Sequence, residues 1–555
     1  MTDPAGTNPY SFDAFTEERD AFDYYADDGF LQSLLRHYAG SRFDEIHPRL
    51  LEFSKLASGP WRKLAATAAA PESQPYLKHY DGHGNRIDRI VRPAETLQLE
   101  KEMFESGLFS DRTEPWERFG KALIAYQNGE AGVVCPLICT EGFIALLSAH
   151  QDSAGPEVKA MLQHCKEGVD GEYGIAAQYL TEIQGGSDLP ANVVEARPQP
   201  DGSFRLHGVK FFCSACQADY AIATAKVSGS DKISTFAVPS WLPGDKARER
   251  RNGYAIRKLK VKLGTVELPT SEIEYDGAVA YAVGPLGEGV KNVVGHVLTV
   301  SRLGIGGSSA AAARRVAREA EQYAKFRKVF SVPVSELPLS TIELSRLKRT
   351  SELMLAGAFA VYEQYLSLGA RLTAGVPRDE DIALRRRKML LRIAIMLQKV
   401  VVTRDTIDQE HRALGVFAGH GIMMDFSDIP RLLRDALVNE QWEGPRGLLL
   451  YQIHHDLSRV ADWYPAKDFV ADLLCGLEPS IIERQGAALE RVLARPMQGQ
   501  DPATIEAALV WDELADELFH GFQQRALSAV VGKAATEPKE MRPAQSASAS
   551  APAAR

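Results

Sequence analysis

Glu443 has the clearest chemical prospect in this chain. It stands in Asn439-Glu-Gln-Trp-Glu-Gly-Pro445, between Trp442 and Gly444. A carboxylate beside a large apolar ring loses hydration, so its pKa rises and it becomes a base for proton abstraction near neutral pH. Other segments could serve such a base. In Thr181-Glu-Ile-Gln-Gly-Gly-Ser-Asp188, the Gly185-Gly186 pair lets backbone approach a ligand closely, and Ser187 adds a hydroxyl donor. Gly208-Val-Lys-Phe-Phe-Cys-Ser-Ala215 has strand alternation, which places Phe212 and Ser214 on one face. An aromatic wall with a hydroxyl beside it suits a planar ligand such as a flavin. Arg327, in Phe326-Arg-Lys-Val-Phe330, can pair with a phosphate. Gly419 and Gly421, in Gly415-Val-Phe-Ala-Gly-His-Gly421, allow backbone contact with one. Each feature alone has an everyday alternative: a Gly-rich turn, a core strand, a solvated helix end, a surface carboxylate.

The elements that must position these residues change character along the chain. Residues 1–175 read as an N-terminal helical domain, with helical spacing at Leu31–Leu35, Leu50–Leu56, Phe119–Tyr126 and Phe143–His150. Residues 176–283 hold short strand-like runs: Phe204–Leu206, Lys210–Cys213, Tyr220–Lys226, Ser234–Val238 and Glu272–Tyr275. With a hairpin signal at Asp201-Gly202, they predict a small antiparallel β-barrel. Residues 288–455 return to helical period, with long helices expected over Asn292–Tyr323, Ile342–Ala374 and Asp381–Ala413, a C-terminal bundle. Residues 456–535 form an extra helical region. The tail, 536–555, is Ser/Ala/Pro-rich and expected to be disordered. The fold class is therefore mainly α with a central β domain.

Composition narrows the function classes. The chain has 555 residues, 45% of them hydrophobic and 25% charged, which suits a multidomain globular protein and excludes general disorder. Six cysteines are too few for a disulfide scaffold. No apolar run is long enough for membrane insertion, and the acidic N-terminus lacks the marks of a targeting peptide, so a cytoplasmic location is expected. The net charge of −9 makes general polyanion binding unfavourable. Cys213-Ser-Ala-Cys216 has metal-ligand spacing but sits in a predicted strand with no second Cys/His pair nearby. His454-His455-Asp456 places two imidazoles about 100° apart on a helix, which does not favour one shared ion. No metal site is expected.

Taken in order on the α, β, α layout, these segments resemble the acyl-CoA dehydrogenase family of flavoproteins. Thr181–Asp188 is similar to its Thr-Glu-Pro-x-Ala-Gly-Ser-Asp motif, Gly208–Ser214 to Gly-x-Lys-x-Trp-Ile-Thr, and Arg327–Phe330 to the start of Arg-x-x-Phe-Gly. Gly415–Gly421 is similar to Gly-Gly-x-Gly, and Trp442–Pro445 to Tyr-Glu-Gly-Thr. Tyr80–Gly84, Cys135–Thr140, Gln184–Asp188 and Asn439–Gly444 resemble the AidB-like branch. The resemblance spans roughly residues 75 to 530, and the ordered motif set is more specific than any one motif.

The resemblance implies FAD bound between the β domain and the bundle. Leu180 and Thr181 would touch the isoalloxazine, Gly186 and Ser187 would lie near the pyrophosphate, Phe212 would cover the ring, and Ser214 would approach N5. Arg327 and Phe330, with Gly419 and its loop, would meet FAD across a subunit boundary, implying a homodimer or homotetramer. Glu443 would be the catalytic base for α,β-dehydrogenation of an acyl-CoA to the 2-enoyl-CoA. Ser187, Arg302 and Glu443 would face the substrate, and an electron-transferring flavoprotein would accept the electrons. Departures from the motifs are Phe212 for Trp, Ser214 for Thr, Ala418 for Gly, Ser331 for Gly, and Pro445 for Thr or Ser. The AidB resemblance carries an alternative, a nucleic-acid-binding stress-response flavoprotein. Residues 456–533 hold seven Lys/Arg and thirteen Asp/Glu, a net of −6, which is the wrong sign for phosphate neutralisation. A non-dehydrogenase reaction on the same fold is a further alternative.

Overall fold

The computed structural model describes residues 11–369, 377–378 and 381–532. The tail read as disordered, 536–555, lies outside them, as do parts of the connection after Leu368.

The N-terminal part is helical except for one hairpin, β1 (Tyr76–Tyr80) and β2 (Arg86–Val91). Sequence alternation did not announce this hairpin, because its burial does not alternate: the first strand has no buried residue, and in the second the neighbours Ile87 and Asp88 are both buried. Helix starts are fixed by local chemistry. Asp28 accepts from the backbone N–H of Phe30 and Leu31, and Glu114 from those of Trp116 and Glu117, with Pro115 opening the helix. Asp28 also receives Arg314 at 2.8 and 2.9 Å from helix Leu298–Phe326, so a single buried carboxylate caps one helix and docks it to another.

The barrel uses β3 (Ala176–Tyr179), β4 (Glu195–Pro198), β5 (Phe204–Ser214), β6 (Tyr220–Val227), β7 (Ile233–Pro239), β8 (Tyr254–Leu259) and β9 (Thr270–Ala282). It closes as β6–β4–β5–β9–β7–β6, with β3 added beside β6 and β8 beside β9. Most pairings are antiparallel, but β3–β6 and β4–β6 are parallel. Alternation reports which face a residue takes, not which strand lies beside it, so the sequence could not distinguish these pairs.

The long helices are Leu298–Phe326, Pro338–Leu368 and Ile382–Phe417, followed by the shorter Ile429–Asn439. Gly304 and Gly306 let neighbours press onto the first of these. A Cβ at Gly304 would lie 2.8 Å from Ile138, and one at Gly306 would overlap the Gln398 amide. The C-terminal helices Arg446–Val460, Ala466–Leu473, Pro479–Leu493 and Pro502–Val531 pack on the bundle. Their apolar residues belong to one core shared with the N-terminal helices and the bundle, while the barrel has its own. Among the described residues no helix is long and apolar enough to cross a membrane.

Candidate active site

A cavity of about 1450 Å³ opens where the barrel, helix Val134–Ala149, helix Leu298–Phe326 and the turn after Asn439 meet. Leu180, Thr181, Gly186, Ser187, Phe212, Ser214, Arg302 and Glu443 all line it. Residues as far apart in the chain as Tyr126 and Arg459 thus share one space.

The barrel wall is held from behind by a buried ion pair. Lys210 Nζ sits 2.8 Å from Glu182 Oε1 and 3.0 Å from Thr224 Oγ1, and both members of the pair are at most 1% exposed. Glu182 also accepts from the backbone N–H of Val193 and Val194 at 2.7 and 3.3 Å. The Thr181–Asp188 loop is therefore pinned at its second residue, and its glycines are free to present backbone. A Cβ at Gly186 would come within 2.5 Å of Thr181 Oγ1, so a side chain there would require Thr181 to move.

On β5 the register slips between Lys210 and Cys213, so both side chains stay in the core with two residues between them. That bulge turns Phe211 as well as Phe212 to the cavity, where simple alternation would have buried Phe211. Phe212 is 53% exposed, a large apolar ring left uncovered on a cavity wall. Lys260 Nζ lies over both rings, 3.4 Å from the Phe211 centroid and 4.8 Å from that of Phe212. Ser214 Oγ is 3.0 Å from Thr270 Oγ1, which also receives Lys262 Nζ at 3.0 Å.

Glu443 lines the same cavity, with the left-handed backbone φ of 54° that is uncommon for a residue with a Cβ. Gln178 Nε2 donates to Glu443 Oε1 at 2.6 Å and to Ser301 Oγ at 3.1 Å. Arg302 Nε donates to the Glu443 carbonyl at 3.1 Å. Lys399 Nζ donates to the carbonyls of Glu440 and Gly444 at 2.6 and 2.8 Å, bracketing the turn that carries the carboxylate. Burial pushes the Glu443 carboxyl above the usual carboxylate range, and the Arg302 and Lys399 charges oppose it only in part. Burial brings Lys399 down to about 7, helped by Arg302, and brings Arg302 down to about 10. A carboxylate poised upward, held by an amide and faced by weakened cations, can take a proton and hold it. Helix Arg446–Val460 begins directly after Pro445, and Arg446 pairs with Asp512 and Asp516 of the last helix at 2.7 Å each.

Arg327, Phe330 and Gly419 lie outside the cavity, at one end of the bundle. There Tyr323 and His420 hydrogen-bond at 2.8 Å within a cluster that includes Phe15, Phe417 and Phe426. All three are exposed, Phe330 at 93%. Gln178, Ser301 and Lys399 were not singled out in the sequence. Lys399 had a legible signal: it is the one cation in the apolar run from Ile393 to Val402.

Family models match three consecutive stretches of the chain. Residues 15–164 match the adaptive response protein AidB N-terminal domain, 177–278 the acyl-CoA dehydrogenase middle domain, and 287–457 the acyl-CoA dehydrogenase C-terminal domain. The acyl-CoA dehydrogenase family member 11 of Caenorhabditis elegans is 28% identical over 77% of this chain and 69% of its own length. The putative acyl-CoA dehydrogenase AidB of Escherichia coli K12 is 28% identical over 73% of each. Two solved structures share the fold. Bd2924 in its apo form gives a TM-score of 0.79 at 23% identity, covering 91% of this chain and 98% of its own. C. elegans ACDH-11 in complex with C11-CoA gives 0.77 at 22% identity, covering 92% and 88%.

Proposed function

We propose, from this chain's place in the AidB-like branch of the acyl-CoA dehydrogenase family of FAD-dependent oxidoreductases acting on acyl-CoA, that it removes the α and β hydrogens of an acyl-CoA to give the 2-enoyl-CoA, with Glu443 as the base. The observation that carries this proposal is the Glu443 carboxyl, raised by burial in a residue that lines the same cavity as Phe212 and Ser214.

The wall fits FAD by its own chemistry. An uncovered aromatic ring, a hydroxyl pair and a loop stripped of side chains offer stacking, polar contacts and close backbone approach along one surface. Leu180, Thr181, Gly186, Ser187, Phe212 and Ser214 would hold the cofactor. When bound, FAD supplies the hydride-accepting centre. The chain's own residues do the rest. The Glu443 carboxylate takes the α-proton, and its backbone N–H, with no acceptor among the described residues, is available to the thioester carbonyl, where enolate-like charge develops. Gln178 fixes the carboxylate, and Lys399 and Arg302 hold the turn that carries it. Arg302 and Ser187 face the substrate side of the cavity.

Arg327, Phe330 and Gly419 support a homodimer or homotetramer, because an almost bare phenylalanine beside a cation and an open glycine suits a surface completed by a second subunit. By the same resemblance an electron-transferring flavoprotein takes the electrons. All six cysteines are free thiols, which fits a reducing, cytoplasmic setting. The nucleic-acid reading keeps the AidB relative in its favour and the acidic C-terminal region against it.

The test is an anaerobic titration of the purified yellow protein with acyl-CoAs of graded length. Rapid bleaching of the flavin supports dehydrogenation. A flavin that no thioester bleaches overturns it in favour of the binding role.

Lys399 gives a pH prediction. Its charge lowers the Glu443 pKa, so Lys399→Met raises that pKa further. Activity grows as Glu443 ionises, so the acid limb of the kcat/KM profile should move to higher pH. A limb that stays in place, or moves to lower pH, would remove Lys399 from the electrostatics of the base.

A further inference from the structure

The cavity does not end at Glu443. Ser301, Ile305, Ser308, Ser309 and Ala312 of one helix line it in succession, spaced as one helical face. Ser301 contacts the Gln178 that holds Glu443, and Ser309 is eight residues further on, about 12 Å along the helix. A chain with its head at Glu443 and its tail following this face reaches Ser309, beside which stands Thr406, and the cavity lining also includes Glu410 and Glu130.

This inner end is polar and incompletely satisfied. Glu410 is wholly buried and lines the cavity, yet neither carboxyl oxygen has a hydrogen-bond partner among the described residues. Ser309 Oγ, on the facing helix and 2% exposed, has none either. By contrast, Glu130 and Asp435 accept from the backbone N–H of Cys135 and Thr265, and Lys262 Nζ is committed to Thr265, Leu268 and Thr270. Two buried polar groups facing one space with nothing to bind are the mark of a recognition point, because native proteins seldom leave such groups unmade.

Resting on the acyl-CoA reading above, we propose that the enzyme takes acyl thioesters whose far end carries a hydroxyl, received by Glu410 and Ser309. A hydroxyl both donates and accepts, and so serves a carboxyl and a serine together. A terminal carboxylate would meet Glu130, Glu410 and Asp435. A terminal ammonium would need an ionised partner, whereas burial, then the nearby Asp435, push the Glu410 carboxyl well above the usual range, with Arg431 in opposition. A neutral hydrogen-bonding group is what remains.

The experiment uses FAD-loaded protein and pairs of CoA thioesters equal in length, one ending in methyl and one in hydroxyl, across several lengths. Binding is read from flavin absorbance changes, and turnover from anaerobic bleaching. At the matching length the hydroxylated member should be favoured about tenfold or more, since a site built around a hydroxyl discriminates strongly against its absence. Glu410→Leu should bring the ratio towards one, chiefly through KM, while Glu410→Gln, which still hydrogen-bonds, should retain most of it. Methyl ends that equal or beat hydroxyl ends at every length in the wild type overturn the proposal, as does a ratio that Glu410→Leu leaves unmoved. If Glu410→Leu does not fold, the wild-type ratios and the Glu410→Gln variant decide. A hydroxyl preference in binding without bleaching supports this proposal while sinking dehydrogenation. Bleaching without the preference does the reverse.

Discussion

Glu443→Gln should hold its flavin, stay yellow, and lose at least about a thousandfold in the rate of flavin reduction by its best acyl-CoA, near the upper part of the range for removing a general base. The substitution is nearly isosteric, and the amide oxygen can still accept from Gln178 as Glu443 Oε1 does at 2.6 Å. What disappears is the capacity to take a proton. Stability should move the other way. The folded-state pKa of Glu443 is raised, so its ionisation opposes folding as pH climbs through that value. The variant should therefore melt at or above the wild-type temperature at pH 8, with the gap closing in acid, where both side chains are neutral. A variant with bleaching within tenfold of wild type would remove Glu443 from the reaction.

Lys210→Met should be the most damaging single change in the barrel. It leaves Glu182 with 1% exposure and no counter-charge, and breaking a buried pair in this way costs about 3–5 kcal/mol. That is a large share of the roughly 5–15 kcal/mol that holds an ordinary domain together. The loss should reach function, because Glu182 anchors the Thr181–Asp188 loop that lines the cavity. Expected readouts are a lower urea midpoint and flavin lost on gel filtration. Adding Glu182→Leu should restore part of the stability, since the stranded charge is then gone, but not the flavin. A single variant with the wild-type midpoint would show that the pair contributes little.

Much of the site was legible because residue type and local spacing carried it. Glu443 beside Trp442, the paired glycines at 185 and 186, and Phe212 with Ser214 on one strand were all visible, and all reach the cavity. What stayed hidden depended on packing between distant segments. Gln178 lies on a four-residue strand and becomes meaningful only because Glu443 arrives 2.6 Å away. The bulge after Lys210 overrode alternation, since a buried lysine seeking Glu182 fixes the strand more firmly than the preference of Phe211 for the core. The four regions read along the chain also hid a physical fact: the N-terminal, bundle and C-terminal helices share one core. Composition shifts mark where secondary structure changes, not where packing stops.

The left-handed backbone at Glu443 has a consequence of its own. Holding a residue with a Cβ at a φ of 54° costs on the order of 1–2 kcal/mol, which glycine would not incur. The same position also keeps a carboxylate in a place that resists its ionisation. Under selection for stability alone, position 443 would drift to glycine, and on the role proposed for Glu443 the protein would become sturdier and lose its base. On that proposal, glutamate there is a compromise between endurance and work. Engineering this enzyme for heat tolerance by relieving its strained positions would have to begin by leaving this one untouched.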